Sequence, residues 1–163
     1  MLECGNVFVS AYGSCLKFLG EAGMSATMEK LEEFLKSMGL KYRVFSAEDR
    51  IALPYNIKNR QFIVMIDRSD RWVRMSARIL SSDQAKKANQ LALQRELLVA
   101  NGNLAEVKYF MTEEGDVGVV GHEGVEALTL DGFKEEYEAI PFAIQFFVDS
   151  IAPKLNIQVP GIK

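Results

Sequence analysis

Five consecutive residues, Phe62-Ile63-Val64-Met65-Ile66, are apolar without interruption. A strand of that composition has both faces covered, which places it in the middle of a sheet. Further on the pattern becomes strict alternation. Val73, Met75, Ala77 and Ile79 fall on one side; Trp72, Arg74, Ser76 and Arg78 fall on the other. Turn residues at Lys58-Asn59 and Ser69-Asp70 join these runs to each other and to a strand over 50–57. Connections that short cannot make parallel crossovers, so the meander is antiparallel. A first strand over 41–46 precedes it. Pro54 cannot donate to a ladder, so its strand is expected at an edge or bulged there.

Helical periodicity flanks the meander. Met28, Leu31, Phe34, Leu35 and Met38 form one apolar face over 25–38, and Gly39 suits a left-handed stop. A second helix is expected over 83–100, opened by Ser81 and Gln84 at capping-box spacing. It has two apolar sides, one with Leu91 and Leu98, the other with Leu93, Leu97 and Ala100. A hairpin over 104–121 turns at residues 112–115. A last helix opens at Asp131 as N-cap, and Pro141 predicts a kink or a restart. Residues 140–151 are apolar nearly all round, so this helix is expected to need cover on more than one side, from the N-terminal segment or from a second subunit. The order is α-ββββ-α-ββ-α: an α+β fold, an antiparallel sheet with helices packed on it.

At 163 residues the chain is long enough for one domain with a real core. Residues 25–152 are assigned to it, with 153–163 an irregular tail and 1–24 an N-terminal extension. That extension has no basic n-region and carries Glu3, which argues against a secretory signal. It reads either as an added element packed on the domain or as residues ahead of a start at Met24. No apolar run approaches the roughly 20 residues that span a bilayer. Cys4 and Cys15 form no disulfide framework, and two free thiols fit a cytoplasmic protein.

The net charge of −3 gives no whole-molecule attraction to nucleic acid or membrane. Its distribution is uneven: residues 41–78 carry nine Lys and Arg against four acids, whereas residues 105–149 carry eleven acids against Lys108 and Lys134. This reads as complementarity within the fold, or as a basic binding face made of Trp72, Arg74 and Arg78 with Arg43 nearby. An aromatic among arginines on an open sheet can grip an acidic peptide or stack single-stranded bases.

Motifs of catalysis are lacking. His122 is the only histidine, and Gly121-His122-Glu123-Gly124 has no metal spacing. Neither Ser14 nor Cys15 lies in a nucleophile elbow. Gly115-x-x-Gly118-x-x-Gly121 lies in a hairpin, away from the strand-to-helix turn that a phosphate loop requires. The acidic turn Glu113, Glu114, Asp116 lacks the alternation of a calcium loop. Neither an enzyme nor a cofactor or metal is expected.

Several segments in this order carry a family resemblance: Leu31-Glu32-Glu33-Phe34-Leu35 with Met38-Gly39-Leu40-Lys41-Tyr42, the meander ending Trp72-Val73-Arg74-Met75, and the helix over 90–99. They continue with Val107-Lys108-Tyr109-Phe110, Glu114-Gly115-Asp116-Val117-Gly118-Val119, and Leu128-Thr129-Leu130-Asp131-Gly132-Phe133. Over about 25–151 the chain resembles the type III secretion chaperone-like fold and, more narrowly, the bacterial sensory transduction regulator (YbjN-like) family. The resemblance implies a non-enzymatic protein- or peptide-binding module of chaperone, adaptor or regulatory character, acting as a homodimer on a client protein. Phe142, Phe146 and Phe147 are the expected dimer or partner surface. The alternative is single-stranded nucleic-acid binding through the Trp72/Arg74/Arg78 face.

Overall fold

The computed structural model describes residues 26–160. The calls on the N-terminal extension and on Cys4, Ser14 and Cys15 lie outside these residues. The six strands are β1 (Arg43–Phe45), β2 (Arg50–Ile57), β3 (Arg60–Arg68), β4 (Trp72–Leu80), β5 (Val107–Met111) and β6 (Val117–Gly124). They form one sheet in the order β1-β2-β3-β4-β6-β5, antiparallel at each junction. The β2–β3 hairpin turns on Lys58 and Asn59, both with positive φ, the geometry of a two-residue type I′ turn. Pro54 lies where β1 has already ended, since β1 pairs only with residues 50–52. At that point β2 is an edge, as the missing N–H demands.

One face of the sheet holds the core. Ile51 and Leu53 of β2, Val64 and Ile66 of β3, Val73 and Met75 of β4 and Val119 of β6 are fully buried on it. Helix α4 (Leu130–Phe146) lies across this face, touching β2, β4, β5 and β6. It supplies Phe133, Ile140 and Ile144, and a π turn over Phe147–Ile151 continues the series with Phe147. Helix α1 (Ala26–Ser37) adds Met28, Leu31 and Leu35, with Phe34 against Phe133 at 5.7 Å between ring centres. After the short helical turn α5 (Ala152–Lys154) the chain is irregular, yet Val159 is buried.

Four expectations are corrected. The helix over 83–100 is two pieces, α2 (Ser82–Ala85) and α3 (Gln90–Asn101). The capping box forms at Ser81 and Gln84, and Asn89 starts the chain again by accepting the Ala92 N–H at 3.0 Å. Helix α4 is capped by Thr129, two residues before Asp131, through the Gly132 N–H at 3.1 Å. It runs through Pro141 without a restart, because Ile140, Ala143 and Ile144 around the proline are all fully buried. The hydrogen bond lost at an interior proline, with its clash, costs about 3 kcal/mol or more, and burial of those side chains at roughly 1.5–3 kcal/mol for each large one offsets it. Finally, β3 is covered on one face only: Phe62, Val64 and Ile66 are buried, while Ile63 and Met65 are half-buried on the opposite, open face.

The β5 edge is closed by a side chain. The Asn101 amide donates to the Tyr109 carbonyl at 3.0 Å, and its oxygen accepts the Tyr109 N–H at 2.7 Å, as a neighbouring strand would. The Tyr109 hydroxyl in turn donates to the Ala143 carbonyl at 2.6 Å, just before the π turn. An added donor on a helical carbonyl at that point favours the wider turn. Asn101→Ala leaves both main-chain groups of Tyr109 unpaired and is expected to lower unfolding stability by about 2 kcal/mol in a denaturant titration. A loss below about 0.5 kcal/mol would show that Asn101 contributes no such pairing.

Candidate protein-binding surfaces

The open face of the sheet follows from the alternation in β4. Across the strands, Arg43, Ala52, Met65, Ser76, Val120 and Lys108 stand in register on it, and Asp67, Arg74 and His122 form the adjacent row. Trp72 is 50% exposed and stands opposite Gly124, which gives it no side-chain neighbour on that strand. Phe110 lies flat over Gly118; a Cβ there would come within 2.7 Å of its ring and of the Ala77 carbonyl. The centre of the face is therefore smooth and mildly apolar, with charges around it.

Those charges are engaged with one another. Arg74 donates Nε and Nη2 to the two Asp67 oxygens at 3.0 and 2.8 Å. Arg78 reaches Asp116 at 3.5 Å, and Asp116 also accepts the Ser82 N–H at 2.6 Å. Arg43 lies over the Phe45 ring at 4.9 Å. Arg43 is on β1, in register with Ser76, so it lies about 14 Å across the sheet and roughly 13 Å along it from Trp72. The structure thus brings Trp72 and Arg74 together, puts Arg78 further along the same strand, and leaves Arg43 at the far edge. A phosphate or carboxylate arriving here competes with Asp67 and Asp116 for the guanidinium groups.

A second surface lies on the helices. Phe142 and Phe146, one turn apart on the outer side of α4, are 63% and 38% exposed. Phe147 is different: it is fully buried, 6.0 Å from the Tyr109 ring, so it belongs to the core and cannot serve as a partner contact. Phe142 and Pro141 border a cleft of about 360 Å3 whose other wall is Tyr55, Ile57 and Lys58 at the end of β2. The Lys58 ammonium at that wall is held by Asp149 at 2.5 Å.

A third surface was not singled out as a site by the sequence reading. Leu91 and Leu98 on α3 are 78% and 72% exposed, and Val99 beside them is exposed too. The signal was present as the two apolar sides of that helix. Only the side with Leu93, Leu97 and Ala100 meets the core. Among the described residues no three His, Cys, Asp or Glu are grouped so as to hold a metal ion, and no helix is long and apolar enough to cross a membrane.

His122 reports on the open face. Burial lowers its pKa, the Arg74 charge lowers it further, and Asp67 pulls it the other way. Arg74→Ala removes the nearby cation and leaves Asp67, so the pKa of this single histidine is expected to rise in a proton NMR titration. A fall or no change would mean that the Arg74–Asp67–His122 row is not formed in solution.

Comparison with known proteins agrees with this architecture. No individually curated protein is similar enough to match the chain. Among solved structures, a chain of the ExsC–ExsE complex superposes with TM-score 0.58 at 17% identity, covering 76% of this chain and 92% of that one. YbjN from E. coli gives 0.56 at 20% identity, over 78% and 93%. The HopA1–SchA chaperone–effector complex gives 0.55 at 18% identity, over 76% and 94%. The fold is thus that of the type III secretion chaperones and of YbjN. Residues 27–135 match the sequence pattern of YbjN, "Putative bacterial sensory transduction regulator", and with that match over most of its length the chain belongs to the YbjN family.

Proposed function

We propose that this protein is a non-enzymatic protein-binding module of chaperone, adaptor or regulatory character, acting as a homodimer in the cytoplasm. The observation that carries the reading is the amount of apolar side chain left on two helices after the core is complete: Leu91, Leu98 and Val99 on α3, Phe142 and Phe146 on α4. Large exposed apolar side chains grouped in this way mark interaction sites. Membership of the YbjN family and a fold shared with a chaperone–effector complex support it.

The two surfaces suit different partners. Leu91 and Leu98 stand seven residues apart along one line of α3, so two antiparallel copies of the helix bring Leu91 of each over Leu98 of the other. A two-fold contact requires that self-complementarity. Phe142 borders a cleft whose wall is half apolar (Tyr55, Ile57, Pro141) and half polar (Asn56, Glu138, Gln145), which suits an inserted client side chain with a polar end.

Light scattering and sedimentation over a range of concentrations test this. The wild-type chain is expected to run as a dimer and Leu98→Glu as a monomer. Phe142→Glu is expected to remain dimeric and to weaken binding of a client by at least about tenfold, as loss of a central anchor does. A wild-type chain that is monomeric at every concentration would overturn the homodimer. Bound single-stranded nucleic acid that is released steeply by salt and lost with Arg74→Glu would move the function to the sheet face.

A further inference from the structure

Where β6 meets the first half of α4, each element offers a glycine to a glutamate of the other. Glu136 of α4 rests against Gly121 of β6, where a Cβ would stand 2.3 Å from Glu136 Oε1. Glu123 of β6 rests against Gly132 of α4, where a Cβ would stand 2.7 Å from Glu123 Oε1. The exchange is reciprocal, and it seats two carboxyl groups between a central strand and the helix that covers it.

Neither carboxyl group is fully satisfied. Glu136 is 6% exposed, and among the described residues its Oε1 has no hydrogen-bond partner; Glu123 Oε2 is buried without one as well. Glu123 Oε1 accepts the Thr129 N–H at 3.4 Å. The charged groups acting on the two acids come from several elements. Glu106, just ahead of β5, adds a third negative charge towards Glu136, and Lys30 of α1 acts on Glu123 from the other side. The Lys30 ammonium donates to the Leu128 carbonyl at 2.7 Å and lies over the Phe34 ring at 5.7 Å. Glu106 is exposed and Glu123 half-buried, but Glu136 is withdrawn from water, and a buried carboxylate near like charges resists ionisation. Uptake of a proton by one of the carboxyl groups relieves the repulsion.

We infer that Glu123 and Glu136 form a proton-operated clasp, in which a proton held at this carboxyl pair fastens the first half of α4 to β6 and its release loosens the helix. Burial pushes the Glu136 carboxyl up to about 7, with Glu123 and then Glu106 adding to the rise. Burial also pushes Glu123 up. In the unfolded chain Glu136 returns to the ordinary value of 4.5. A group whose pKa is raised by folding contributes stability that is complete below its unfolded pKa and is lost as pH rises through its folded pKa. The clasp is therefore closed in mildly acid solution and opens above neutrality. Phe133 and Tyr137 ride on the same half of α4, so opening would loosen the contact of Phe133 with Phe34 of α1 and that of Tyr137 with Tyr55 of β2.

Thermal unfolding of the full chain at about pH 5.5 and about pH 8.5 tests the clasp. The wild-type midpoint is expected to fall by roughly 4–8 °C across that interval. Glu136→Gln keeps the shape and removes the titration, so it should melt above the wild type at the alkaline pH, with less than about half the pH slope. A variant with the wild-type slope would overturn the inference. The carbon-13 shift of the Glu136 carboxyl in the wild-type chain gives a reading that does not depend on any variant folding. A titration midpoint near 7 supports the clasp, and one near 4.5 overturns it.

Discussion

The structure depends on a single contact, that of α4 with one face of the sheet. Strands β2, β4, β5 and β6 touch this helix, and Phe133, Ile140, Ile144 and Phe147 are withdrawn completely from water along it. The described residues place no helix on the other face to share that task. The strength of the contact explains why a proline is accepted in the middle of the helix. It also explains why a glutamate on the buried stripe is kept in place at a cost to its ionised form. Each is unfavourable locally, and each is held by side chains one turn away that are fully buried.

The open face is built on the opposite logic. Its residues satisfy one another laterally, across strands, and need nothing above them. Asp67 holds Arg74 directly across the β3–β4 ladder, and Asp116 serves both Arg78 and the start of α2. Flatness comes from Gly118 and from the Phe110 ring lying over it. The basic surplus of residues 41–78 is thereby partly absorbed within the sheet and by the acidic residues that follow it. In sequence the surplus read first as complementarity within the fold and second as a binding face, and the pairs themselves stayed hidden because pairing across strands depends on a register that composition does not reveal.

The meander, the order of elements and the sheet-facing side of β4 were legible in the sequence because a strand's period of two is rigid and its turns are short. Helix α1 was legible because its apolar stripe is narrow. The rest depended on contacts distant in sequence. The break between α2 and α3 comes from Asn89, a good N-cap residue whose signal was hidden by the helical period that runs past it on both sides. Phe147 reads like Phe142 and Phe146, and only the path of α4 past Tyr109 separates a core ring from two surface rings. Glu136 was visible as an acid between Phe133, Tyr137 and Ile140, but its meaning required Gly121, fifteen positions earlier, to lie beneath it.

The amide of Asn101 has a consequence for how copies of this sheet can meet. An open sheet ordinarily has two free borders, and a free border at each end lets molecules add to one another without limit. Here the β5 border is occupied at Tyr109 by a side chain of the same molecule. The other border is the short β1, with the stretch of β2 beyond it. Strand pairing between copies is then obstructed at the middle of the β5 border, and pairing through the other border alone would join two molecules and stop. A single asparagine thus stands across one of the two edges along which such a sheet could grow.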